Sequence, residues 1–170
     1  KISEDLKALI LSLLKAKNCE SASNKFLQHT SSEIKTFFGS SEAVLFPYAR
    51  TSLYALLSNL NLPKGSEILM TPFNIKPMVD VIKSLGFKPI FVDINYEDFG
   101  PDYSSLELMI SNRPACFLLT YLFGYVPNIN FIDKICKKYN VIFIEDISHA
   151  VGAKYNNKYL GTFGLASIYS

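Results

Sequence analysis

Residues 141–146 read Val141-Ile142-Phe143-Ile144-Glu145-Asp146, four apolar side chains running straight into two carboxylates. An apolar run without alternation fits a strand covered on both faces, as in the centre of a parallel sheet. In open α/β sheets ligands lie outside the carboxyl ends of the strands, which is where Glu145 and Asp146 fall. Ile147-Ser148-His149-Ala150 and the small residues Gly152 and Ala153 follow. A carboxylate at the edge of such a dry pocket must be paired or hydrogen-bonded, because burying the ion alone is costly. A protonated heteroaromatic nitrogen is a suitable partner.

The rest of the chain agrees with a strand at this place. Strand candidates Glu67–Met70, Pro89–Asp93, Ala115–Tyr121 and Val141–Glu145 alternate with helix candidates Thr51–Leu60, Pro77–Leu85, Tyr103–Ile110 and Ile129–Tyr139. That alternation, from Val44 onward, predicts an α/β fold with a mainly parallel sheet flanked by helices. Pro63-Lys64-Gly65, Gly86 and Asn140 stand where helices must stop and turns begin. The segments after Phe46, Met70, Tyr121 and Glu145 are therefore where chemistry is expected. Ahead of this region, Leu6, Ile10, Leu13 and Leu14 predict an amphipathic helix from Ser3 to about Lys17. A polar loop, Asn18 to Asn24, and a short helix from Ser32 to Phe38, stopped by Gly39, come next. The expected division is N-terminal helices over 1–40 and a ligand-binding domain over 41–170.

Composition narrows the function classes. The 170 residues are 49% hydrophobic and 14% aromatic, ample for one domain with a core. Seventeen Lys and Arg against fifteen Asp and Glu leave a net charge of +2, too little to argue for a nucleic acid or a membrane surface as partner. Cys19, Cys116 and Cys136 form no CxxC pair, and two of them sit in apolar stretches, which suits a reducing compartment. No metal site is expected. No apolar run reaches the roughly 18 residues of a membrane helix, so the expectation is a cytoplasmic protein.

In isolation, Glu145-Asp146 reads as a capped turn and His149 as a core histidine. The longer stretch Phe143-Ile144-Glu145-Asp146-Ile147-Ser148-His149-Ala150-Val151-Gly152-Ala153, continuing through Tyr155 to Gly161-Thr162-Phe163-Gly164, resembles the DegT/DnrJ/EryC1/StrS aminotransferase family. The family pattern is Glu-Asp-Ala-Ala-Gln/His-Ala-x-Gly-Ala, a β-hairpin, then Gly-Ser/Thr-Phe-Gly. Upstream, Pro63-x-Gly65-x-Glu67, then Gly86-x-Lys88-Pro89-x-Phe91-Val92-Asp93-Ile94, then Gly124-x-x-Pro127, follow in the family's order. The resemblance covers about residues 33–170.

The resemblance implies the large domain of a fold-type I pyridoxal phosphate enzyme, without its last strands and C-terminal small domain. Asp146 falls on the carboxylate that pairs with the cofactor's pyridinium nitrogen. His149 falls on the Gln or His beside the phenolic oxygen. Tyr48-Ala49-Arg50-Thr51 matches, by position, the Ser-Gly-Thr phosphate loop at a helix N-terminus. There Ala49 replaces Gly and Arg50 replaces the hydroxyl residue; Arg50 could pair with phosphate or be a surface Arg beside a helix cap, and Thr51 could supply the hydroxyl. Ser170 aligns with the phosphate-binding serine of a strand.

Three departures stand out. Ile75, with Phe73 two residues earlier, occupies the place of a ring-stacking aromatic. Tyr121 stands where many members carry His, as a packing or a functional residue. The family's Schiff-base lysine follows the phosphate serine by about five residues, beyond Ser170, and Lys154 and Lys158 read as solvated hairpin charges. The implied parent enzyme transfers an amino group, typically from glutamate, to a keto sugar nucleotide and works as a homodimer. The 170 residues alone are expected to be inactive. A dehydratase of the same family and a non-catalytic relative acting by binding or dimerisation are the alternatives.

Overall fold

A computed structural model describes the backbone of residues 19–170 and the side chains from residue 24 onward. The helix expected over Ser3–Lys17 lies outside the described residues. The chain divides into two compact units, Lys1–Leu45 and Phe46–Ser170.

Among the described residues of the first unit one helix, α1, spans Cys19–Phe38. It replaces both the polar loop expected up to Asn24 and the short helix expected from Ser32. The reason is chemical: the stretch from 19 to 38 holds many polar residues but neither Gly nor Pro, and polarity alone does not break a helix. Gly39, at φ +66°, ends it as expected. Ser31 Oγ then donates to the Ala43 carbonyl, and Lys35 Nζ lies 3.4 Å from Glu42 Oε2. The run ending at Phe46 does not form a strand; Val44 is exposed, and Pro47 follows with no N–H to give to a ladder.

The second unit alternates helix and strand as far as Asp146. Its helices are α2 (Ala49–Asn59), α3 (Lys76–Ser84), α4 (Tyr103–Ser111) and α5 (Ile129–Tyr139). Its sheet strands are β1 (Glu67–Met70), β2 (Lys88–Phe91), β3 (Cys116–Thr120), β4 (Ile142–Asp146) and β7 (Ala166–Ile168). A small antiparallel hairpin, β5 (Lys154–Tyr155) and β6 (Lys158–Tyr159), interrupts the series. Asn156 and Asn157, at φ +49° and +64°, make its two-residue turn. The five-stranded sheet has the order β2-β1-β3-β4-β7, with every neighbouring pair parallel. The α/β class and the parallel sheet are as the alternation indicated.

Alternate strand residues serve opposite faces. Ile68, Met70, Cys116, Leu118, Ile144 and Ile168 pack with Leu53 and Leu57 of α2 and Met78 and Ile82 of α3. On the other face Phe117 and Phe143 stack across β3 and β4, their centroids 6.0 Å apart. Asp102 caps α4 by accepting from Ser105 N at 2.8 Å, which holds its carboxyl below the usual value. Asn140 closes α5 in the left-handed conformation at φ +58°.

Cys116 and Cys136 are free and buried, and burial pushes each thiol up to about 12. At pH 8 a thiol reagent is expected to leave both unmodified in the folded protein and to label both in denaturant, read by peptide mass mapping. Labelling of either at free-thiol rates without denaturant would contradict this packing.

Candidate functional site

Glu145 and Asp146 end β4, and their side chains go to opposite faces of the sheet. Glu145, with no solvent exposure, is fully hydrogen-bonded. Oε2 accepts from Tyr121 OH at 2.6 Å and from Gly161 N at 2.8 Å; Oε1 accepts from Phe163 N at 2.7 Å and from Gly164 N at 2.8 Å. One carboxylate thus ties the end of β3 and the whole Gly161–Gly164 turn to β4. Tyr121 is equally buried; burial first, and the Glu145 charge second, push its phenol well above the usual value. The Tyr121 hydroxyl serves the core and not the crevice.

Asp146, 5% exposed, is on the face shared with α2 and α3. Its Oδ1 accepts from Ser148 N at 3.0 Å and Ser148 Oγ at 2.6 Å, while Oδ2 has no hydrogen-bond partner among the described residues. Thr120 is its ladder neighbour on β3 and receives Asn74 Nδ2 at 2.8 Å on Oγ1. The carboxyl end of β4 therefore carries a nearly buried carboxylate with one free oxygen, held on its other oxygen by the following turn.

The N-terminus of α2 reaches the same end of the sheet. Residues 60–66 join the end of α2 to the start of β1, so α2 runs antiparallel to the strands and begins at their carboxyl side. Its cap residue, Tyr48, makes no side-chain capping bond. The Tyr48 carbonyl takes Thr51 N at 2.9 Å and Ser52 N at 3.2 Å, which leaves the Ala49 and Arg50 amides with no acceptor among the described residues. Arg50 is exposed; its guanidinium lies 4.0 Å from the centroid of the Tyr48 ring and has no carboxylate partner among the described residues. Thr51 is exposed beside it.

His149 follows in the turn after β4, exposed, with its ring stacked on Phe123 at 5.8 Å and 8°. Ser170 is exposed and lies two residues past β7, beyond the ladder pair Asp146–Ile168, so it is not itself in a strand. Ile75 and Phe73 are both exposed after β1. Lys154 and Lys158 are exposed on the hairpin, and their ammonium groups lie over the rings of Tyr159 and Phe163 at 4.2 and 4.3 Å. Reading the sequence missed the Glu145 anchor and the Asn74–Thr120 tie. The conjunction of Glu145 with Gly161 and Gly164 was a signal for the first, but nothing local marks the second. No group of residues suited to hold a metal occurs among the described residues.

Fold and site together define a parallel α/β unit with an anion-ready helix N-terminus and an acidic pairing point at the carboxyl ends of its strands. The DegT/DnrJ/EryC1/StrS aminotransferase family model matches residues 1–170, and the chain belongs to that family, which is pyridoxal-phosphate-dependent. It is 30% identical over 169 residues to the UDP-4-amino-4,6-dideoxy-N-acetyl-beta-L-altrosamine transaminase of Helicobacter pylori, covering 98% of this chain and 44% of that protein. It is 33% identical over 119 residues to the GDP-perosamine synthase of Escherichia coli O157:H7, covering 70% of this chain and 33% of that protein. Among solved structures, a variant of GDP-4-keto-6-deoxymannose-3-dehydratase with bound GDP-perosamine superposes with a TM-score of 0.85 at 25% identity, over 99% of this chain and 45% of that one. The chain spans less than half the length of these relatives.

Tyr121→Phe is expected to lower stability by roughly 1.5–3 kcal/mol, the worth of a buried hydrogen bond to a charged group. Because the phenol is raised in the folded chain, its contribution is whole below pH 10.0, the ordinary phenol value, and is lost as pH climbs above it. Urea unfolding from pH 8 to 11 should show that alkaline loss reduced in the variant. An unchanged midpoint at pH 8 would contradict the Glu145 anchor. Gly164→Ala should cost roughly 1–3 kcal/mol in the same assay, since its Cβ would stand 2.4 Å from the Phe143 carbonyl oxygen.

Proposed function

We propose that this chain is the cofactor-holding part of a pyridoxal-phosphate-dependent aminotransferase that passes an amino group, from glutamate, to a keto group on a nucleotide-linked sugar in amino-sugar biosynthesis. The observation that carries the reading is Asp146, almost buried, fixed by Ser148 on one oxygen and open on the other. A carboxylate kept this dry is suited to a cationic ring nitrogen, and its neighbours offer no competing cation: no ion pair to Asp146 occurs among the described residues.

The donor set fits the rest of the cofactor. The unpartnered amides of Ala49 and Arg50, with the helix dipole of α2, suit a phosphate; the Arg50 fork and the Thr51 hydroxyl belong to the same helix start, and the Ser170 hydroxyl is added to them on the family resemblance alone. Ala49 stands where a glycine would give the closest backbone approach, so Arg50 takes the larger share of the charge. When bound, the cofactor supplies an electron sink for charge developing at the amino-bearing carbon. Asp146 keeps a proton on the ring nitrogen, and His149 holds the ring's oxygen side by a hydrogen bond.

The substrate class rests on the relatives, whose names refer to nucleotide-linked or amino sugars. A homodimer, with sites completed by both chains, follows from the same kinship. The likeness to the dehydratase, at a TM-score of 0.85, favours a second reading in which the same residues hold the cofactor for removal of a sugar hydroxyl. Amino-acceptor and dehydration assays on the natural-length protein separate the two.

In that protein Asp146→Asn is expected to lower cofactor affinity and turnover about 10- to 100-fold, the equivalent of one charge-assisted pairing of about 1.5–3 kcal/mol. Absorbance titration with pyridoxal phosphate and steady-state amino transfer read the two effects. Unchanged affinity and turnover would remove Asp146 from the site.

A further inference from the structure

His149 is held more closely than an exposed histidine needs to be. Its Nδ1 accepts the backbone N–H of Phe123 at 3.3 Å, and the two rings lie parallel, 8° apart, at 5.8 Å. The Phe123 amide is brought there by an unusual backbone: Phe123 sits at φ +52° inside the Leu122–Gly124 turn that follows β3. Gly124, at φ +80°, completes the approach, because a Cβ on it would stand 3.2 Å from the His149 carbonyl oxygen. The turn is rooted in the fold. Tyr121 N donates to the Asp146 carbonyl at 3.1 Å, and Tyr121 OH to Glu145. Backbone strain, a hydrogen bond and a ring stack therefore converge on one imidazole.

A ring nitrogen that accepts an N–H cannot carry a proton, so the neutral imidazole must carry it on Nε2, and Nε2 has no partner among the described residues. We propose that Phe123 is a positioning residue for His149: its amide fixes the imidazole as the Nε2–H tautomer and its ring fixes the imidazole plane. The site then receives from this position a hydrogen-bond donor and never an acceptor. The ligand atom it suits is an anionic or phenolic oxygen. This rests on the cofactor-binding reading for its consequence, but the tautomer itself does not.

Two variants separate the ends of the ring. Asn places an oxygen near the Nδ1 position, and Gln places its amide near the Nε2 position. In the natural-length protein without added cofactor, imidazole 15N NMR is expected to show that the neutral His149 ring carries its proton on Nε2 and not on Nδ1. Exchange of the Phe123 amide should rise about fivefold to tenfold in His149→Gln and His149→Ala, the loss of one hydrogen bond of about 1 kcal/mol, and stay near the parent value in His149→Asn. Affinity for pyridoxal phosphate should follow the opposite order, kept in His149→Gln and reduced in His149→Asn. Thermal unfolding should be alike in the Asn and Gln variants. A proton on Nδ1, or Phe123 exchange indifferent to all three substitutions, would overturn the proposal. If the tautomer and exchange pattern hold but no variant changes cofactor affinity, the positioning of the ring stands and the cofactor-binding reading of His149 falls.

Discussion

The site depends on one buried carboxylate that takes no part in it. Glu145 accepts four hydrogen bonds, three from backbone amides of the Gly161–Gly164 turn and one from Tyr121. An ion with no solvent access is tolerable only when its lone pairs are met, and here they are met by groups from two other chain segments, Tyr121 and the Gly161–Gly164 turn. The result is that the end of β3, the end of β4 and the entry to β7 are fixed to each other at the side of the sheet where ligands bind. Asp146, His149 and the Phe123 turn all hang from that junction.

Adjacent carboxylates at the end of one strand are divided by the pleat into two tasks. Glu145, on one face, is saturated and structural; Asp146, on the face of α2 and α3, keeps one oxygen open. The same division runs through β3, where Tyr121 anchors to Glu145 and Thr120, pairing with Asp146 in the ladder, is tied to Asn74 after β1. Rigid elements thus present a small number of open polar groups: Asp146 Oδ2, His149 Nε2, and the Ala49 and Arg50 amides. Such preorganisation is what a charged, planar ligand requires.

Much of this was legible in residues whose local chemistry is strong. The apolar run Val141–Ile144 announced β4, Ile129–Tyr139 announced α5 to the residue, and Asn140 announced its left-handed end. What was not legible depended on partners far apart in sequence. Asn74 and Thr120 are 46 residues apart, and Tyr121 and Glu145 are 24 apart, so neither contact leaves a local pattern. At the N-terminal side the error was of another kind. Cys19–Asn24 is polar without a breaker, and polarity was mistaken for a loop. The run before Phe46 looked like a strand but meets Pro47 and finds no ladder.

In the proposed function the free oxygen of Asp146 and the N-terminus of α2 grip the two ends of one cofactor. A crystal structure of the natural-length protein with pyridoxal phosphate tests it most directly. The account expects the Asp146 carboxylate within hydrogen-bond distance, about 2.7–2.9 Å, of the ring nitrogen, with the phosphate on the Ala49 and Arg50 amides. A cofactor whose ring nitrogen meets another group, or whose phosphate lies away from α2, would contradict it.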